Sequence, residues 1–288
     1  MIDVSVIILT KNEEVNIVEC LRSIKDFAKR IIVVDSGSID NTCIIASEMG
    51  ADVYTHNFEN YARQFNWAID NTNIRTKWTL RLDADERLTP ELCKELELLT
   101  DLHSSDNING ISMEAWLYFL QKKIKHGCRN KRKLMLFKTG IGRIEDRKMD
   151  EHTILNSGSS IHAKNKFIHY DFKDMTHWIN KMNWYATREM QDYFDYLNGK
   201  KADVSSGDAR IKKIRRKKFG FYYKLPLFFR CRLLFLYNYI LKLGFLDGCA
   251  GFVYHYMYHC WYRTLVDSKI LEQRVTKKEF EETGSLNE

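Results

Sequence analysis

The sequence predicts an α/β fold, a mainly parallel sheet flanked by helices, followed by a helical extension rich in basic and aromatic residues. Three observations predict it. Short apolar runs alternate with stretches of helical spacing over the first hundred residues. Those runs are nearly continuous, as in strands buried on both faces. After Gly207 the composition shifts abruptly towards bases and aromatics.

The elements follow in order. Residues 4–9 read as a first strand, ending in Thr10-Lys11-Asn12-Glu13-Glu14. Residues 16–24 put Ile17, Leu21 and Ile24 on one side of a helix. Residues 31–34 form a second strand that ends at Asp35, with Ser36-Gly37-Ser38 as a polar turn and 42–49 helical. A third strand at 51–54, a helix at 64–69 and a fourth strand at 78–82, ending at Asp83, complete the pattern. Thr89 and Pro90 open a further helix through Leu92, Leu96 and Leu99. Strand-like runs recur at 111–113 and 134–137, and the stretch 122–133 between them is densely basic.

Strand–helix alternation of this kind is the mark of a parallel sheet. In open α/β sheets, ligands bind beyond the carboxyl ends of the strands. Here those ends deliver Thr10, Asn12, Asp35 and Asp83. Asp, Ser and Asn also favour ordinary turns. Three strand ends in succession, each with a carboxylate at or just after it, favour a site.

The composition narrows the function. At 288 residues, 44% hydrophobic and 29% charged, the chain is neither disordered nor a coiled coil. Its net charge of +7 suggests an anionic partner. The seven cysteines are scattered, with no C-x-x-C pair, which fits reduced thiols in a cytosolic compartment. Met1-Ile2-Asp3 lacks the basic start of a signal peptide and reads as the beginning of a strand.

The sharpest local signal is Leu82-Asp83-Ala84-Asp85-Glu86. Two aspartates one residue apart after a buried strand repel each other unless a cation stands between them. Hard carboxylate oxygens suit Mg²⁺ or Mn²⁺, held together with substrate phosphates.

With this motif in place, the chain resembles the family 2 glycosyltransferases of the GT-A, Rossmann-like nucleotide-sugar fold. Four blocks carry the resemblance: residues 4–14; residues 32–38 with Asp40 and Thr42; Gln64-Phe65-Asn66-Trp67-Ala68; and residues 82–86. Weaker blocks are Lys125-His126-Gly127, residues 134–137, Asp150-Glu151-His152 and Gly244-Phe245-Leu246-Asp247-Gly248. The chain is most similar to the non-processive branch that builds lipopolysaccharide core and other bacterial surface polysaccharides. The processive synthases carry Gln-x-x-Arg-Trp, and this sequence has no Arg-Trp dipeptide.

The resemblance implies an inverting transferase that takes a sugar from a nucleotide-sugar donor to a saccharide acceptor, lipid-linked or part of a lipopolysaccharide. It implies that Thr10, Asn12, Glu14, Asp35, Asn66 and Asp83 bind the nucleotide sugar. Asp85 would bind Mg²⁺ or Mn²⁺. Direct displacement needs a base for the acceptor hydroxyl, and Asp150 or Glu151 would serve. His152 would ligate the metal or orient a carboxylate, or stand as a solvated loop histidine.

Two regions are expected, a catalytic domain at 1–205 and a basic, aromatic helical region at 206–288. Between Ala209 and Arg232 there are ten bases and no acid, interleaved with Phe and Tyr. Lys224, Arg230 and Arg232 argue against a spanning helix, since a charge near its centre costs ~2.5–3.5 kcal/mol. The stretch reads instead as lying on an anionic membrane surface. Residues 244–261 read as a deeply seated helix or as a core helix packed inside the protein. The expected location is cytoplasmic, on the inner face of the cytoplasmic membrane. A competing reading makes 211–221 a strip for single-stranded nucleic acid, but it leaves Asp83 and Asp85 unexplained, so no nucleic acid is expected. A catalytically inactive scaffold with the same motifs is a third reading.

Overall fold

The structure is a computed structural model that describes residues 1–128, 132–145, 152–170, 174–198 and 218–284. The chain forms two compact units, Met1–Lys123 with Arg129–Asp171, and Ile124–Cys128 with Phe172–Glu288.

The first unit holds a mixed sheet. Its elements are β1 (Ile2–Thr10), α1 (Glu14–Ile24), β2 (Ala28–Asp35), α2 (Thr42–Glu48), β3 (Asp52–Thr55), α3 (Tyr61–Asn71), β4 (Trp78–Asp83), β5 (Glu86–Arg87), α4 (Pro90–Leu102), β6 (Ile108–Phe119), β7 (Lys122–Ile124), β8 (Arg132–Lys138), β9 (Gly142–Ile144), β10 (Thr153–Leu155) and β11 (Ser159–His169). The strand order is β3-β2-β1-β4-β8-β6-β11-β5. Strands β3, β2, β1 and β4 are parallel, as expected. Strand β8 is antiparallel to both β4 and β6, and β6 is parallel to β11. Strands β6 and β11 therefore run in the direction of β1 and β4. Their carboxyl ends come to the same edge of the sheet as Thr10, Asp35 and Asp83.

Burial explains the near-continuous apolar runs. Val4, Val6, Ile7 and Ile8 of β1 are all fully buried, because both faces of the sheet are covered. One face packs on Ile17 and Leu21 of α1 and Leu92 and Leu96 of α4. The other packs on Ala62, Phe65 and Ala68 of α3. Helix α4 starts where its sequence says it should: the Thr89 side chain accepts the Leu92 N–H, with Pro90 in the first turn.

The second unit is helical. It comprises α5 (Met175–Leu197), α6 (Phe229–Leu236) running into a π-type turn at Tyr237–Leu241, a 3₁₀ turn at Gly244–Asp247, α7 (Gly248–His255), a second π-type turn at Tyr256–Trp261, and α8 (Tyr262–Gly284). The unit boundary falls near residue 171, not at 205. The reason is Glu189 of α5, which accepts hydrogen bonds from Tyr223, Tyr262 and Arg263. That buried carboxylate ties α5 to the C-terminal helices.

Two expectations for the tail change in this light. Arg230, read as part of a basic surface stretch, is 1% exposed and paired with Asp267, equally buried. Residues 244–261 present a mixed aspect: Ala250, Gly251, Tyr254 and His255 are buried, whereas Phe245, Leu246, Phe252 and Tyr256 are exposed. Residues 209–217, most of the basic stretch, lie outside the described residues.

Candidate active site

The loops after β1 and β2 are sewn together by their own polar side chains. Parallel pairing sets Thr10 opposite Asp35, and Thr10 Oγ1 donates to Asp35 Oδ1 at 2.9 Å. Asp35 also accepts the Gly37 and Ser38 amides at 2.8 and 2.7 Å, and the Ser38 hydroxyl at 2.5 Å. Burial would raise the Asp35 carboxyl, but these donors, Ser38 foremost, hold it below its ordinary value. Gly37 supplies the left-handed conformation, φ +84°, that this turn needs. Asn12 also adopts positive φ, and its side chain accepts the Ile39 amide at 2.9 Å. Glu14 accepts two hydrogen bonds from Asn41, each 3.1 Å. Thr10, Asn12, Glu14 and Asp35 thus come together at one rim.

Asn66 is placed differently. Its amide makes a two-point clamp on the backbone of Ile144, donating at 2.8 Å and accepting at 3.0 Å. Both ends of that amide join α3 to β9.

The acidic motif sits at the end of β4. Asp83 accepts from the Tyr61 hydroxyl at 2.7 Å and from Lys133 Nζ at 3.3 Å. Lys133 also donates to Glu86 at 2.6 Å, and Glu86 accepts the Asp83 amide. Arg81 donates to the Tyr61 oxygen at 2.7 Å and lies over its ring. Burial pushes the Asp83 carboxyl up, but Lys133, then Arg81 and the Tyr61 hydroxyl, outweigh it and hold Asp83 well below the carboxylate range. Glu86 moves the other way. It is 1% exposed, and its burial, aided by the Asp83 charge, raises it despite Lys133.

Asp85 points elsewhere. Its Oδ2 lies 3.4 Å from His169 Nε2 at the end of β11. The Asp85 carbonyl accepts the Tyr170 amide at 2.8 Å, which fixes the two segments together. Two adjacent ligands on one octahedral cation, each at about 2.1 Å, stand about 3 Å apart. The Asp85–His169 pair therefore fits one small divalent cation with little movement. Among the described residues, no group of three His, Cys, Asp or Glu side chains could hold a metal by itself. Magnesium does not require such a cage, since it is commonly held by one or two carboxylates and substrate phosphates.

His152 lies beyond β9, and its backbone carbonyl accepts the Glu145 amide at 2.9 Å. Asp150 and Glu151 lie outside the described residues. Sequence reading missed Tyr61, Arg81, Lys133 and His169. Arg81 left a trace as the residue just before the acidic motif, and Lys133 as the last residue of the basic stretch 122–133.

The profile described as glycosyl transferase family 2 matches residues 5–157, more than half of the chain. The chain belongs to this family. Among relatives, an uncharacterized glycosyltransferase of Rickettsia bellii is 39% identical over 103 residues, 36% of this chain and 34% of that protein. The match thus spans about a third of that relative's length. An uncharacterized glycosyltransferase of Rickettsia typhi is 27% identical over 198 residues, 66% of this chain and 67% of that protein. The lipopolysaccharide core biosynthesis glycosyltransferase LpsC of Rhizobium meliloti is 27% identical over 268 residues, 88% of this chain and 89% of LpsC. A structure of glucosyl-3-phosphoglycerate synthase from Mycobacterium tuberculosis, with Mn²⁺ and UDP, covers 40% of this chain and 44% of that one at 22% identity. Its TM-score of 0.33 is too low to bear on the chemistry of this family 2 chain.

Proposed function

We propose that this chain transfers a sugar from a nucleotide diphosphate donor to a saccharide acceptor, with inversion at the anomeric carbon. One observation carries the reading. Asp85 and His169 stand 3.4 Å apart at the carboxyl edge of the sheet, beside an Asp83 whose charge is answered by Lys133 and which accepts from the Tyr61 hydroxyl. That division of labour suits a nucleotide sugar. Asp83 is held ionised as an acceptor for ribose hydroxyls, and Asp85, beside His169, would bind a cation.

Asp85 and His169 would hold Mg²⁺ or Mn²⁺, which stabilises the negative charge of the departing nucleotide diphosphate. Thr10, Asn12, Glu14 and Asp35 shape the rim for base and ribose. Asp35 acts there by fixing the 36–38 turn, since both its oxygens are engaged. Asn66 supports the pocket by anchoring β9. Asp150 or Glu151 would take the proton from the acceptor hydroxyl as it attacks the anomeric carbon.

The similarity to LpsC along most of both chains supports an acceptor in lipopolysaccharide core synthesis, and we propose that this acceptor is carried on lipid. Membrane association at the inner, cytoplasmic face is part of the same reading. It is supported by exposed Phe229, Leu236, Tyr237, Ile240, Leu241 and Leu246 in the second unit. Among the described residues no single helix is long and apolar enough to cross a membrane. One bent pair, Phe229–Leu241 with Gly244–Thr276 at 72°, passes by length and composition.

The test is a donor panel. The protein is incubated with common nucleotide sugars and Mn²⁺ or Mg²⁺, with and without lipid-linked core acceptors, and products are read by mass spectrometry. Transfer from one donor, lost with a chelator and restored by the cation, is the expected result. No transfer or hydrolysis from any donor, with nucleotide binding also absent, would sink the reading.

A further inference from the structure

The outer face of β6 and β11 carries a row of rings and cations that the donor chemistry does not use. On β6, Met113 and Ala115 point into the core, while Glu114, Trp116 and Tyr118 are partly exposed on the other face. On β11, Phe167 is buried and Lys166 stands beside Glu114 in register. Tyr118 stacks on Tyr170 with centroids 4.7 Å apart. The Arg87 guanidinium lies 4.4 Å from the Tyr170 ring. Trp116 carries two ammonium groups, Lys123 at 3.1 Å and Lys166 at 4.5 Å from its centroid.

Arg87 is the telling residue. Its Nε is buried with no hydrogen-bond partner, and among the described residues no carboxylate pairs with it. A buried, unanswered guanidinium N–H is costly, and guanidinium geometry matches phosphate and carboxylate in two-point fashion. Arg87 is also two residues from Asp85, whose carbonyl holds Tyr170. The row therefore starts at the same end of β11 that carries His169 and runs back along β6 and β11.

We propose that Arg87 on Tyr170, continued by Tyr118 and by Trp116 with Lys123 and Lys166, is a subsite for an anionic sugar of the acceptor, one bearing phosphate or carboxylate. The rings would take the apolar C–H faces of the pyranoses, and the cations their oxyanions. Among the described residues of this row, the acid is Glu114, which is answered by Lys166 at 3.0 Å, so the face keeps its positive balance. This assignment rests on the glycosyltransferase reading above, because it makes the row the acceptor side of that site.

The test uses the full chain saturated with UDP and Mn²⁺, so that donor-phosphate positions are filled. It is titrated with mannose 6-phosphate and glucuronate, and with mannose and glucose as neutral controls, by calorimetry or ligand-observed NMR. The anionic sugars should bind at least tenfold more tightly than the neutral ones. Arg87→Met should remove that preference, Arg87→Lys should keep part of it, and Trp116→Ala should weaken all four sugars. UDP affinity, measured separately, should change less than twofold in each variant. Equal binding of charged and neutral sugars would overturn the proposal. So would a tenfold loss of UDP affinity in Arg87→Met with sugar-phosphate binding unmoved, which would give Arg87 to the donor. Failure of wild-type protein to bind UDP with Mn²⁺ would instead strike the nucleotide-sugar reading itself, and the two failures are told apart by which titration is flat.

Discussion

Lys133 donates to Glu86 at 2.6 Å, and the carboxylate that receives it is almost completely shielded from water. The same ammonium reaches Asp83, so one cation answers two acids beneath the proposed donor site. Removing it leaves like charges facing each other in a buried place, which costs about 3–5 kcal/mol. Lys133→Met should therefore lower stability by about that amount in urea unfolding. Lys133→Met combined with Glu86→Gln should recover part of the loss. Equal loss in the single and double variants would show that Lys133 acts through packing alone.

The Asp85–His169 pair makes a different prediction, on activity with the fold intact. Asp85→Asn keeps the shape but weakens the hold on a divalent cation. It should lower turnover by about a hundredfold or more. His169→Ala should raise the Mn²⁺ concentration needed for half-maximal activity by about 10–100-fold. Metal titrations of both variants, read beside unchanged circular dichroism, check this. An unaltered metal dependence in both would remove the pair from the cation site.

Within the second unit, two blocks about 120 residues apart meet. Asp247, 4% exposed, accepts the Lys125 and His126 amides at 2.9 and 2.8 Å and lies 2.8 Å from the His126 ring. Gly127 sits at φ +66°, and a Cβ there would come within 2.3 Å of the Asn238 carbonyl and 2.6 Å of the His255 ring. Gly127→Ala should thus cost about 2 kcal/mol or more, from the strained φ and from overpacking. Asp247→Ala should cost about 2–3 kcal/mol through three orphaned donors. Thermal unfolding of each variant measures both. Wild-type stability in Gly127→Ala would show that this close approach is not made in solution.

Acid should loosen the same unit. Burial pushes His259 down to about 3, and neither ring nitrogen has a hydrogen-bond partner; burial also lowers His255. A histidine depressed in the fold contributes stability that is complete above its unfolded value of about 6.5 and is lost as pH falls towards the folded value. For His259 the loss runs from pH 6.5 down to about 3, at about 1.4 kcal/mol per pH unit. Amide exchange in α7 and α8 between pH 7 and 5 should rise in wild type and rise less in His259→Phe. The same slope in both would move the effect elsewhere.

The exposed apolar corner at Leu241, Leu243, Phe245 and Leu246 bears on membrane binding. Lys242 beside it supplies a cation, stacked on Tyr237. Sedimentation with anionic vesicles should be strong at low salt and weaken as salt rises. Leu241→Asp with Leu246→Asp should abolish it without unfolding the protein, since both side chains are more than half exposed. Binding that survives both changes would place the contact on another surface.

The sequence by itself determined the alternation of strands and helices from β1 to β4, the start of α4 and the residues at those strand ends, but not β5, β7 or β9 to β11. Buried runs such as 4–9 and 31–34 declare themselves through local composition, and Asp83-Ala84-Asp85 through spacing. Turn residues were legible for the same reason: Thr89-Pro90 and Ser36-Gly37-Ser38 act within a few residues of themselves. What only the tertiary structure decided is which distant group answers each carboxylate. Lys133 reaches Asp83 across 50 positions, His169 reaches Asp85 across 84, and Asp247 closes on His126 across 121. Those pairings follow from strand order, with β8 antiparallel beside β4 and β5 antiparallel beside β11, and from helix packing in the second unit. Periodicity reports how a segment is buried, not which segment it meets. For the same reason Arg230 read as surface charge until Asp267 was found beside it, and the hold of Asn66 on the Ile144 backbone was not legible in its block.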